Sequence, residues 1–398
     1  MLNPMKSENG GAYRVGLNAL LLNSGRGSSY RRAGIHSYIR GLMPHLPPAD
    51  TRMTYAAFVD PAGEDVSNGM HVIRAPENIS GRPVARVLWE QLVLPWLCVQ
   101  ERLCLLHAMA FVSPVLTPRP TVVTAYDLSF LRLPGRFRPA NRIYLSLFTW
   151  LSCRRARRVI AISKHTRKDV VDLLGVSLNR VDVVYPGLGS GFERASAQAV
   201  AAFRERLGLP ERFILYLGTI EPRKNLSILI NAYNKLRPPG VKLICAGGKG
   251  WLFEDVFKTV EELHLSRDVL FPGFLPADEL PLWYSACSAF VYPSNYEGFG
   301  LPVLEAMACG APTITTNAAS LPEVGGSAAW LLPPGDVDAL AEGIDCVLSS
   351  PALQSELSEA GPVQAHRFCW ETAGRLTART YARALGIPAL PQEVAAKS

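Results

Sequence analysis

The sequence lacks a long apolar run and lacks any pair of cysteines spaced for a metal. No apolar stretch reaches the roughly 18 residues that a membrane-spanning helix needs, and the nearest candidate, residues 143–153, ends in a cluster of arginines. The eight cysteines form no C-x-x-C pair and stand mostly in apolar runs, which indicates reduced, buried thiols. Residues 1–11 are polar, so no signal peptide is expected. These features predict a cytoplasmic protein, in contact at most with the surface of the cytoplasmic membrane.

Acidic residues are scarce in the first half of the chain. Residues 1–190 hold 12 Asp and Glu against 24 Lys and Arg, whereas the remainder is acidic overall. Such an imbalance indicates two domains, the first of which faces something anionic. Solvated arginines that serve solubility are the alternative. The basic half has no aromatic-interleaved platform, so a nucleic-acid partner is not expected.

Apolar β-branched runs alternate with helical patterns along all 398 residues. Alternation of this kind predicts parallel sheets covered by helices on both faces. Two series, separated by a Gly- and Pro-containing stretch at 186–192, predict an α/β protein of two doubly wound, Rossmann-like domains that face each other across a cleft. The predicted strands are 13–18, 53–58, 121–125, 159–162 and 181–184, then 213–217, 241–246, 269–271, 289–292 and 312–315. The predicted helices are 34–46, 86–100, 163–174, 226–236, 253–263, 301–309 and 337–348.

A strand–loop–helix motif at residues 297–310 carries the strongest chemical signal. Glu297 lies in the loop and Glu305 about one turn inside the helix that follows, so both carboxylates can accept hydrogen bonds from neutral hydroxyls. Gly300 permits close approach of the backbone to a ligand. The N-terminus of the helix would then offer N–H groups and a positive dipole to an anion.

A second loop, residues 218–225, also lies between a predicted strand and a predicted helix. It carries Arg223 and Lys224 at the carboxyl end of the strand. An Arg fork and a Lys point charge suit a diphosphate. Either loop taken alone could be an ordinary surface turn.

Two other sequence patterns resemble ligand-binding motifs, but one is interpreted as a helix start and the other lacks a required residue. Asp336 and Asp338 form a D-x-D, but the pair opens a predicted helix, so we expect Asp336 to be an N-cap and no metal to bind. The loop 25–30 has two glycines of a dinucleotide fingerprint and lacks the third, which argues against a dehydrogenase.

Taken together, these motifs resemble those of retaining family-4 glycosyltransferases with the GT-B fold. The resemblance depends on the E-x7-E signature from Glu297 to Glu305, the loop 218–225, and the segments 312–315 and 321–324. Segments 161–164 and 183–187 in the first half also match, and the likeness covers roughly residues 12–386. It implies an N-terminal acceptor-side domain at 12–190, a nucleotide-sugar domain at 191–370, and a C-terminal helix at 371–386 that crosses back to the first domain.

The resemblance also implies roles for single residues. Glu305 is expected to bind the ribose and Glu297 the donor sugar, while Arg223 and Lys224 hold the diphosphate. The donor would also meet the backbone of Phe299, Gly300 and Leu301, the loop Gly273, Phe274 and Leu275 beside the base, and Gly34 from the first domain.

One position departs from the family pattern. Tyr126-Asp127 stands after the strand 121–125 where the family usually has His-Asp. Tyr126 can still donate a hydrogen bond but carries no positive charge near neutral pH. The resemblance implies a catalytic role for Tyr126 and a substrate-binding role for Asp127, and the departure from the family pattern concerns Tyr126.

The activity implied is transfer of a hexose, mannose from GDP-mannose, from a nucleotide-sugar donor to a glycan or lipid-linked acceptor in cell-surface polysaccharide assembly. The nucleotide-sugar is a substrate, and no cofactor is expected. Two alternatives remain open: a nucleotide-sugar epimerase of the same fold, and a non-catalytic glycan-binding scaffold.

Peripheral membrane contact is a further hypothesis. Residues 143–151 include Phe148 and Trp150 and precede Arg154, Arg155, Arg157 and Arg158, a composition typical of an interfacial helix. The favoured alternative is a buried helix followed by solvated arginines, because periodic apolar runs usually pack into a core.

Overall fold

The structure is a computed structural model that describes residues 12–22, 33–61, 69–77, 79–133, 139–248, 250 and 253–390. The chain divides into two compact units. The first comprises the chain through Gly187 together with the chain from Cys369, and the second is Leu188–Phe368. The loop 25–30 and the polar residues 1–11 lie outside the described residues.

The first unit is built on a seven-stranded parallel sheet of order β3-β2-β1-β4-β5-β6-β7. Its strands are β1 Tyr13–Asn18, β2 Met53–Val59, β3 His71–Arg74, β4 Leu105–Ala108, β5 Thr121–Ala125, β6 Arg158–Ala161 and β7 Val181–Val183. The sequence patterns missed β3 and β4. The first is a four-residue edge strand without a buried side chain, and the second lies inside an apolar run with no period of its own.

Helices cover this sheet. They are α1 Ala33–Leu42, α2 Pro83–Leu88, α3 Leu94–Gln100, α4 Ser129–Arg132, α5 Pro139–Arg155 and α6 Lys164–Leu174. The predicted helix 34–46 ends at Leu42 and continues as a 3-10 turn through Pro44, whose ring nitrogen cannot donate. A π-helical turn, Trp89–Val93, joins α2 to α3. Ser163 is the N-cap of α6, as predicted, and its hydroxyl accepts from the Thr166 N–H at 2.9 Å.

The last helix packs into the first unit. In chain order it is α15, Trp370–Leu385. A Cβ at Gly41 would lie 2.2 Å from the Trp370 indole, and one at Gly187 would lie 2.4 Å from the Trp370 backbone nitrogen, so only glycine fits at either position. Further along α15 the Tyr381 hydroxyl lies 2.7 Å from Nδ1 of the buried His107 on β4. These contacts fix the helix to the sheet of the first unit.

The second unit has a six-stranded parallel sheet of order β10-β9-β8-β11-β12-β13. Its strands are β8 Arg212–Leu217, β9 Val241–Ala246, β10 Val269–Gly273, β11 Ala289–Tyr292, β12 Thr313–Thr316 and β13 Trp330–Leu332. Its helices are α7 Ala197–Leu207, α8 Leu226–Leu236, α9 Glu254–Glu262, α10 Leu280–Ala286, α11 Leu301–Ala308, α12 Leu321–Gly325, α13 Val337–Ser349 and α14 Pro351–Ala365. The prediction of two doubly wound sheets is confirmed.

The strand order of the second unit positions the site. Strands β8 and β11 are paired neighbours, yet the chain continues from β8 toward one edge of the sheet and from β11 toward the other. The loops after two such strands leave the same end of the sheet in diverging directions, and doubly wound proteins bind ligands at this point.

The interior of each unit follows the apolar pattern with one exception. All eight cysteines lie in the described part of the chain and none is in a disulfide; six are buried, Cys369 is half-buried and Cys346 is exposed. Helix α5, however, exposes Ile143, Leu147 and Trp150. The favoured prediction of a helix that packs into the first unit is thus confirmed for one side of residues 143–151, where Leu145 contacts the core and Thr149 is buried, and wrong for the other side. Among the described residues, no helix is both long and apolar enough to cross a membrane.

Candidate active site

The loop after β8 approaches the loop after β9 backbone to backbone. A Cβ at Gly247, whose φ is +138°, would lie 2.0 Å from the carbonyl oxygen of Gly218. A Cβ at Gly250 would lie 2.7 Å from the Ile220 oxygen. Glycine is therefore required where these loops meet. The sequence analysis did not single out Gly247, although a Gly-Gly pair directly after a strand was the available signal.

A short 3-10 turn places the two cations. It spans Pro222–Lys224 and ends at Asn225, which adopts a left-handed φ of +60°. The Arg223 guanidinium donates from Nε to Glu221 at 3.0 Å, and Lys224 is buried. Glu221 was not among the predicted residues, since its only sequence signal was its place in the same loop.

Glu297, in the loop after β11, forms ion pairs with both Arg223 and Lys224. Its Oε1 accepts from Lys224 at 2.5 Å, from the Ser294 hydroxyl at 2.7 Å and from the Tyr292 hydroxyl at 3.0 Å. Its Oε2 accepts from Nη1 of Arg223 at 3.2 Å. The structure thus brings together three residues predicted from separate motifs, and adds Tyr292 and Ser294.

The charges in this cluster hold one another ionised. Burial alone would raise the pKa of Glu297, but the charges of Arg223 and Lys224 outweigh it and lower the pKa to about 2. Burial lowers the pKa of Lys224, and the nearby Glu297 carboxylate opposes that shift. The carboxylate is therefore ionised throughout the physiological pH range.

Backbone hydrogen bonds join the two loops. The Asn295 N–H donates to the Arg223 carbonyl at 3.0 Å, and Nη1 of Arg223 donates to the Tyr296 carbonyl at 3.0 Å. On the other side of the loop, the Ser320 hydroxyl lies 2.9 and 2.7 Å from the carbonyl oxygens of Glu297 and Phe299. These bonds fix the direction of the Glu297 side chain.

Helix α11 begins directly after this loop. Its N-cap is Gly300, with a φ of +115°, and a Cβ there would lie 2.8 Å from the Leu321 side chain. Pro302 stands in the first turn and Gly310, with a φ of +70°, just beyond the last, which are the start and stop signals that the sequence predicted. Pro302 has no N–H and the Val303 N–H donates to the Gly300 carbonyl at 3.0 Å, so the Leu301 N–H is the first-turn donor left at the positive end of the helix dipole.

Glu305 lies half-buried within α11. The hydroxyl of the buried Tyr284 donates to its Oε2 at 3.0 Å. Burial raises the pKa of Glu305 to about 7, and the Tyr284 hydrogen bond only partly opposes the rise. Tyr284, on α10, was missed because an aromatic residue in an apolar helix is normally a core residue.

The loop after β10 is connected to the same region through β9. Gly273 adopts a φ of +83°, and its carbonyl accepts from the Gly247 N–H at 2.7 Å. Phe274, which follows, is exposed and Leu275 is buried. The strand lies two positions from β8, about 10 Å away at the usual strand spacing. Phe274 thus presents an open aromatic face at the ligand-binding end of the sheet.

Three predicted residues lie in the first unit. Gly34 is exposed in the first turn of α1, where a Cβ would meet nothing within 4 Å. Tyr126 is buried, and its hydroxyl donates to the Met109 carbonyl at 2.6 Å. Asp127 accepts from the N–H of Ser129 at 2.9 Å, at the start of α4. In this structure the Tyr126 proton is engaged by the backbone, so its predicted role stays a prediction.

The D-x-D motif is the start of a helix. The Asp336 carboxylate accepts from the N–H groups of Asp338 at 3.0 Å and Ala339 at 2.9 Å, so the prediction of an N-cap is confirmed. Asp338 pairs instead with Lys235 at 2.7 Å on the surface. Across the described ranges, no three His, Cys, Asp or Glu side chains come together as metal ligands would.

Comparisons with known proteins agree with this geometry. A family model described as glycosyl transferases group 1 matches residues 200–364, and one described as glycosyltransferase family 4 matches residues 32–189. The chain is 32% identical over 268 residues to O-antigen chain mannosyltransferase B of Escherichia coli, covering 65% of this chain and 69% of that protein. It is 34% identical over 238 residues to the E. coli serotype-specific mannosyltransferase WbdA, covering 58% of this chain but only 29% of that longer protein.

Solved structures agree in fold. Anabaena HepE in complex with UDP and glucose superposes with a TM-score of 0.69 at 22% identity, over 93% of this chain and 99% of that one. The two matched ranges follow one another along the chain and together include every strand of both sheets except β1. The chain therefore belongs to the glycosyl transferases group 1, and is a mannosyltransferase-like glycosyltransferase of the GT-B fold.

Proposed function

We propose that the protein transfers mannose from GDP-mannose to a hydroxyl group of a glycan or lipid-linked acceptor, with retention at the anomeric carbon, in cell-surface polysaccharide assembly. The observation that carries the proposal is the cluster of Arg223, Lys224 and Glu297 beside the N-terminus of α11. Relatives named as O-antigen and serotype-specific mannosyltransferases support the choice of mannose.

The leaving diphosphate would be stabilised by the cationic part of this cluster. When the bond from the anomeric carbon to the phosphate oxygen breaks, its electron pair stays on the diphosphate. Lys224 and Arg223 are already held in place by Glu297, so they need little reorganisation as that charge develops. The α11 N-terminus adds N–H donors that also favour an anion.

Two carboxylates would orient the donor. A carboxylate oxygen can accept two hydrogen bonds, and Oε2 of Glu297 is the oxygen on which we expect a sugar hydroxyl. Glu305 would accept from the ribose hydroxyls, and the exposed ring of Phe274 would contact the base. Gly300 and Leu301 would let the α11 backbone approach the sugar and its phosphate.

Retention follows if the acceptor attacks on the face that the diphosphate leaves. The acceptor oxygen then forms the new bond to the anomeric carbon, and its proton passes to an oxygen of the departing phosphate. Such a route needs no protein nucleophile and no metal, and we propose that the enzyme works without either. Binding of a lipid-linked acceptor would be served by peripheral contact between the protein and a membrane.

A donor panel tests the proposal. The full chain is incubated with GDP-mannose, GDP-fucose, UDP-glucose or UDP-galactose, and the released nucleoside diphosphate is measured. Where no added glycan serves as acceptor, hydrolysis of the donor by water is measured instead. We expect release from GDP-mannose above the others, and proton NMR should show retained configuration in the sugar product. Because every donor in the panel carries a ribose, Glu305→Gln should lower release from all of them, whereas the exposed Glu356→Gln should not.

Three results would contradict separate parts of the proposal. Turnover of a UDP-sugar in place of GDP-mannose would refute the donor, and a product of inverted configuration would refute the stereochemistry. Loss of activity on addition of EDTA, restored by Mn²⁺ or Mg²⁺, would refute metal independence.

A further inference from the structure

The helical segment from α2 to α3 exposes a line of apolar side chains. Val84, Leu88, Leu92 and Trp96 recur at intervals of four residues and are each 55–74% exposed. Large apolar side chains in such a contiguous row on a surface mark a contact site. The core does not require them, because Trp89, Leu94 and Cys98 of the same segment are buried against β2 and β4.

The π-helical turn keeps this row straight. In an α-helix, residues four apart are rotated by about 40° around the axis, so a row of four such residues would wind away from a single face of the helix. A π-helical turn contains more residues than an α-helical turn, so it rotates residues four apart in the opposite direction and offsets part of that winding. Because the turn Trp89–Val93 lies in the middle of the row, Leu88 and Leu92 remain aligned with their neighbours. We call Val84, Leu88, Leu92 and Trp96 the first stripe.

Helix α5 carries a second stripe. Ile143, Leu147 and Trp150 lie on one face at helical spacing and are 39–66% exposed. They line an open apolar cavity of about 700 Å³ together with Leu131 and Leu173. Thr149 and Ser152, which point to the other side of the helix, are buried.

The two stripes adjoin through residues 113–116. The Gln91 side chain accepts from the Val115 N–H at 2.9 Å, and the Ser113 N–H donates to the Ser152 hydroxyl of α5 at 3.0 Å. Nη1 of Arg155 donates to the Val115 carbonyl at 2.9 Å. Leu116, next in the chain, is 77% exposed, so the apolar surface continues between the stripes.

The rim of this surface is positively charged. Arg82, Arg142 and Arg154 are exposed beside the stripes, and Arg154 stacks on the Trp150 ring at 5.1 Å. Within 69–77, 79–133 and 139–174, 14 Lys and Arg stand against six Asp and Glu. Glu90 is buried and Glu77 is exposed, while Glu101 pairs with Arg14 at 2.5 Å, Asp169 with Arg132 at 2.5 Å and Asp172 with Lys168 at 2.7 Å. Asp127 accepts from the N–H of Ser129, and the surface keeps an excess of positive charge.

We propose that the two stripes and Leu116 form one face that lies in the headgroup region of an anionic lipid bilayer, with the α2–α3 segment and α5 in the plane of the membrane. Apolar helix faces bordered by arginine are the composition that binds such surfaces. A second copy of the chain is the wrong occupant, because a two-fold contact would bring arginine rims together. The proposal rests on the peripheral contact suggested with the transfer reaction and names the surface that makes it.

Vesicle binding tests this independently of catalysis. The full chain is co-sedimented with vesicles of phosphatidylethanolamine and phosphatidylglycerol, and with vesicles of phosphatidylcholine alone. We expect binding to the anionic vesicles at low ionic strength, weakened by salt. Arg82→Glu with Arg142→Glu, and separately Leu88→Gln with Leu92→Gln, should each weaken binding by about tenfold or more.

A matched control and a depth measurement accompany the test. Leu270→Gln with Val363→Gln alters exposed apolar residues of the second unit and should leave binding unchanged. Lipids brominated near the headgroup should quench Trp96 and Trp150, scored by loss of quenching in their Phe variants, and should spare the buried Trp283. All substituted side chains are exposed, and circular dichroism checks that the variants fold.

Several outcomes would overturn the proposal. One is a wild-type protein that does not pellet with anionic vesicles even at low salt, and another is that the stripe and rim variants both pellet as wild type does. Concentration-dependent self-association that the Leu88→Gln with Leu92→Gln variant abolishes, without vesicle binding, would assign the face to a second copy. Release of nucleoside diphosphate from a soluble donor does not require this face. Absence of that release would therefore count against the proposed reaction and not against membrane binding.

Discussion

Replacing Glu297 with Gln should destabilise the second unit in a pH-dependent way. The carboxylate has its pKa lowered from 4.5 to about 2 in the folded protein, so its ionised form stabilises the fold above pH 4.5. A shift of that size corresponds to about 3 kcal/mol at neutral pH. Gln keeps the shape but leaves the buried Lys224 without its counter-charge, a loss that lies at about 3–5 kcal/mol for buried pairs.

The sign of the pH effect follows from the direction of the shift. Stabilisation by the wild-type carboxylate is complete above its unfolded pKa and is lost as pH falls toward its folded value. The difference in unfolding free energy between wild type and Glu297→Gln should therefore be largest near neutral pH. It should narrow by about 2 kcal/mol by about pH 3, because the wild-type carboxylate is then protonated in the unfolded chain but still largely ionised in the folded protein.

Urea unfolding at a series of pH values measures this difference. Amide hydrogen exchange in peptides covering 213–217 and 289–292 assigns the loss to the second unit, since global probes would mix two units. The exposed Glu356→Gln is the matched control and should track wild type. If the Glu297→Gln difference is the same at pH 7 and pH 3, the carboxylate is not held ionised by its two cations and the reasoning fails.

The remaining predictions concern the donor side and the helix cap. Affinity for GDP, measured by calorimetry, should rise with pH through about 7 as Glu305 loses its proton, and the rise should be flattened in Glu305→Gln. Tyr284→Phe should move that midpoint to higher pH, because the lost hydrogen bond lowers the pKa of Glu305; an unmoved midpoint would contradict it. Lys224→Ala should lower turnover at saturating donor, and near-normal turnover would remove it from the charge-stabilising role. Asp336→Ala should lower the unfolding free energy by about 1 kcal/mol, whereas Asp338→Ala should change it little, which thermal melts can check.

The sequence predicted the loops of the site because their signals are local. Residues 213–217 and 289–292 are short apolar runs that end at Gly or polar residues, and each is followed by helix start signals. Parallel strands bring such loops to one end of a sheet. The sequence therefore predicts that Lys224 and Glu297 lie at the same end of the sheet, although it does not predict that they touch.

The supporting contacts could not be predicted in the same way. Tyr292 ends a buried strand and Tyr284 lies in an apolar helix, so both have the pattern of core residues. The Tyr292 hydroxyl lies between Lys224 and Glu297 only because β8 pairs with β11, and the Tyr284 hydroxyl reaches Glu305 only because α10 packs on α11. Pairing order is a non-local property, and a single sequence carries no direct signal for it.

Helix α5 shows the limit of periodicity as a guide to burial. Apolar residues occur on both of its faces, so the pattern alone could not say which face packs inward. The structure buries Cys153 and leaves Trp150 outside, and it aligns the α2–α3 row through a π-turn that no sequence rule predicted. Part of the excess positive charge of residues 1–190 lies along the border of this apolar surface.

The cations of the two units differ in their surroundings. In the second unit the cations of the site are buried and paired with Glu297, which suits a small anion held at a fixed point. In the first unit the exposed arginines spread along two helices, which suits an extended anionic surface.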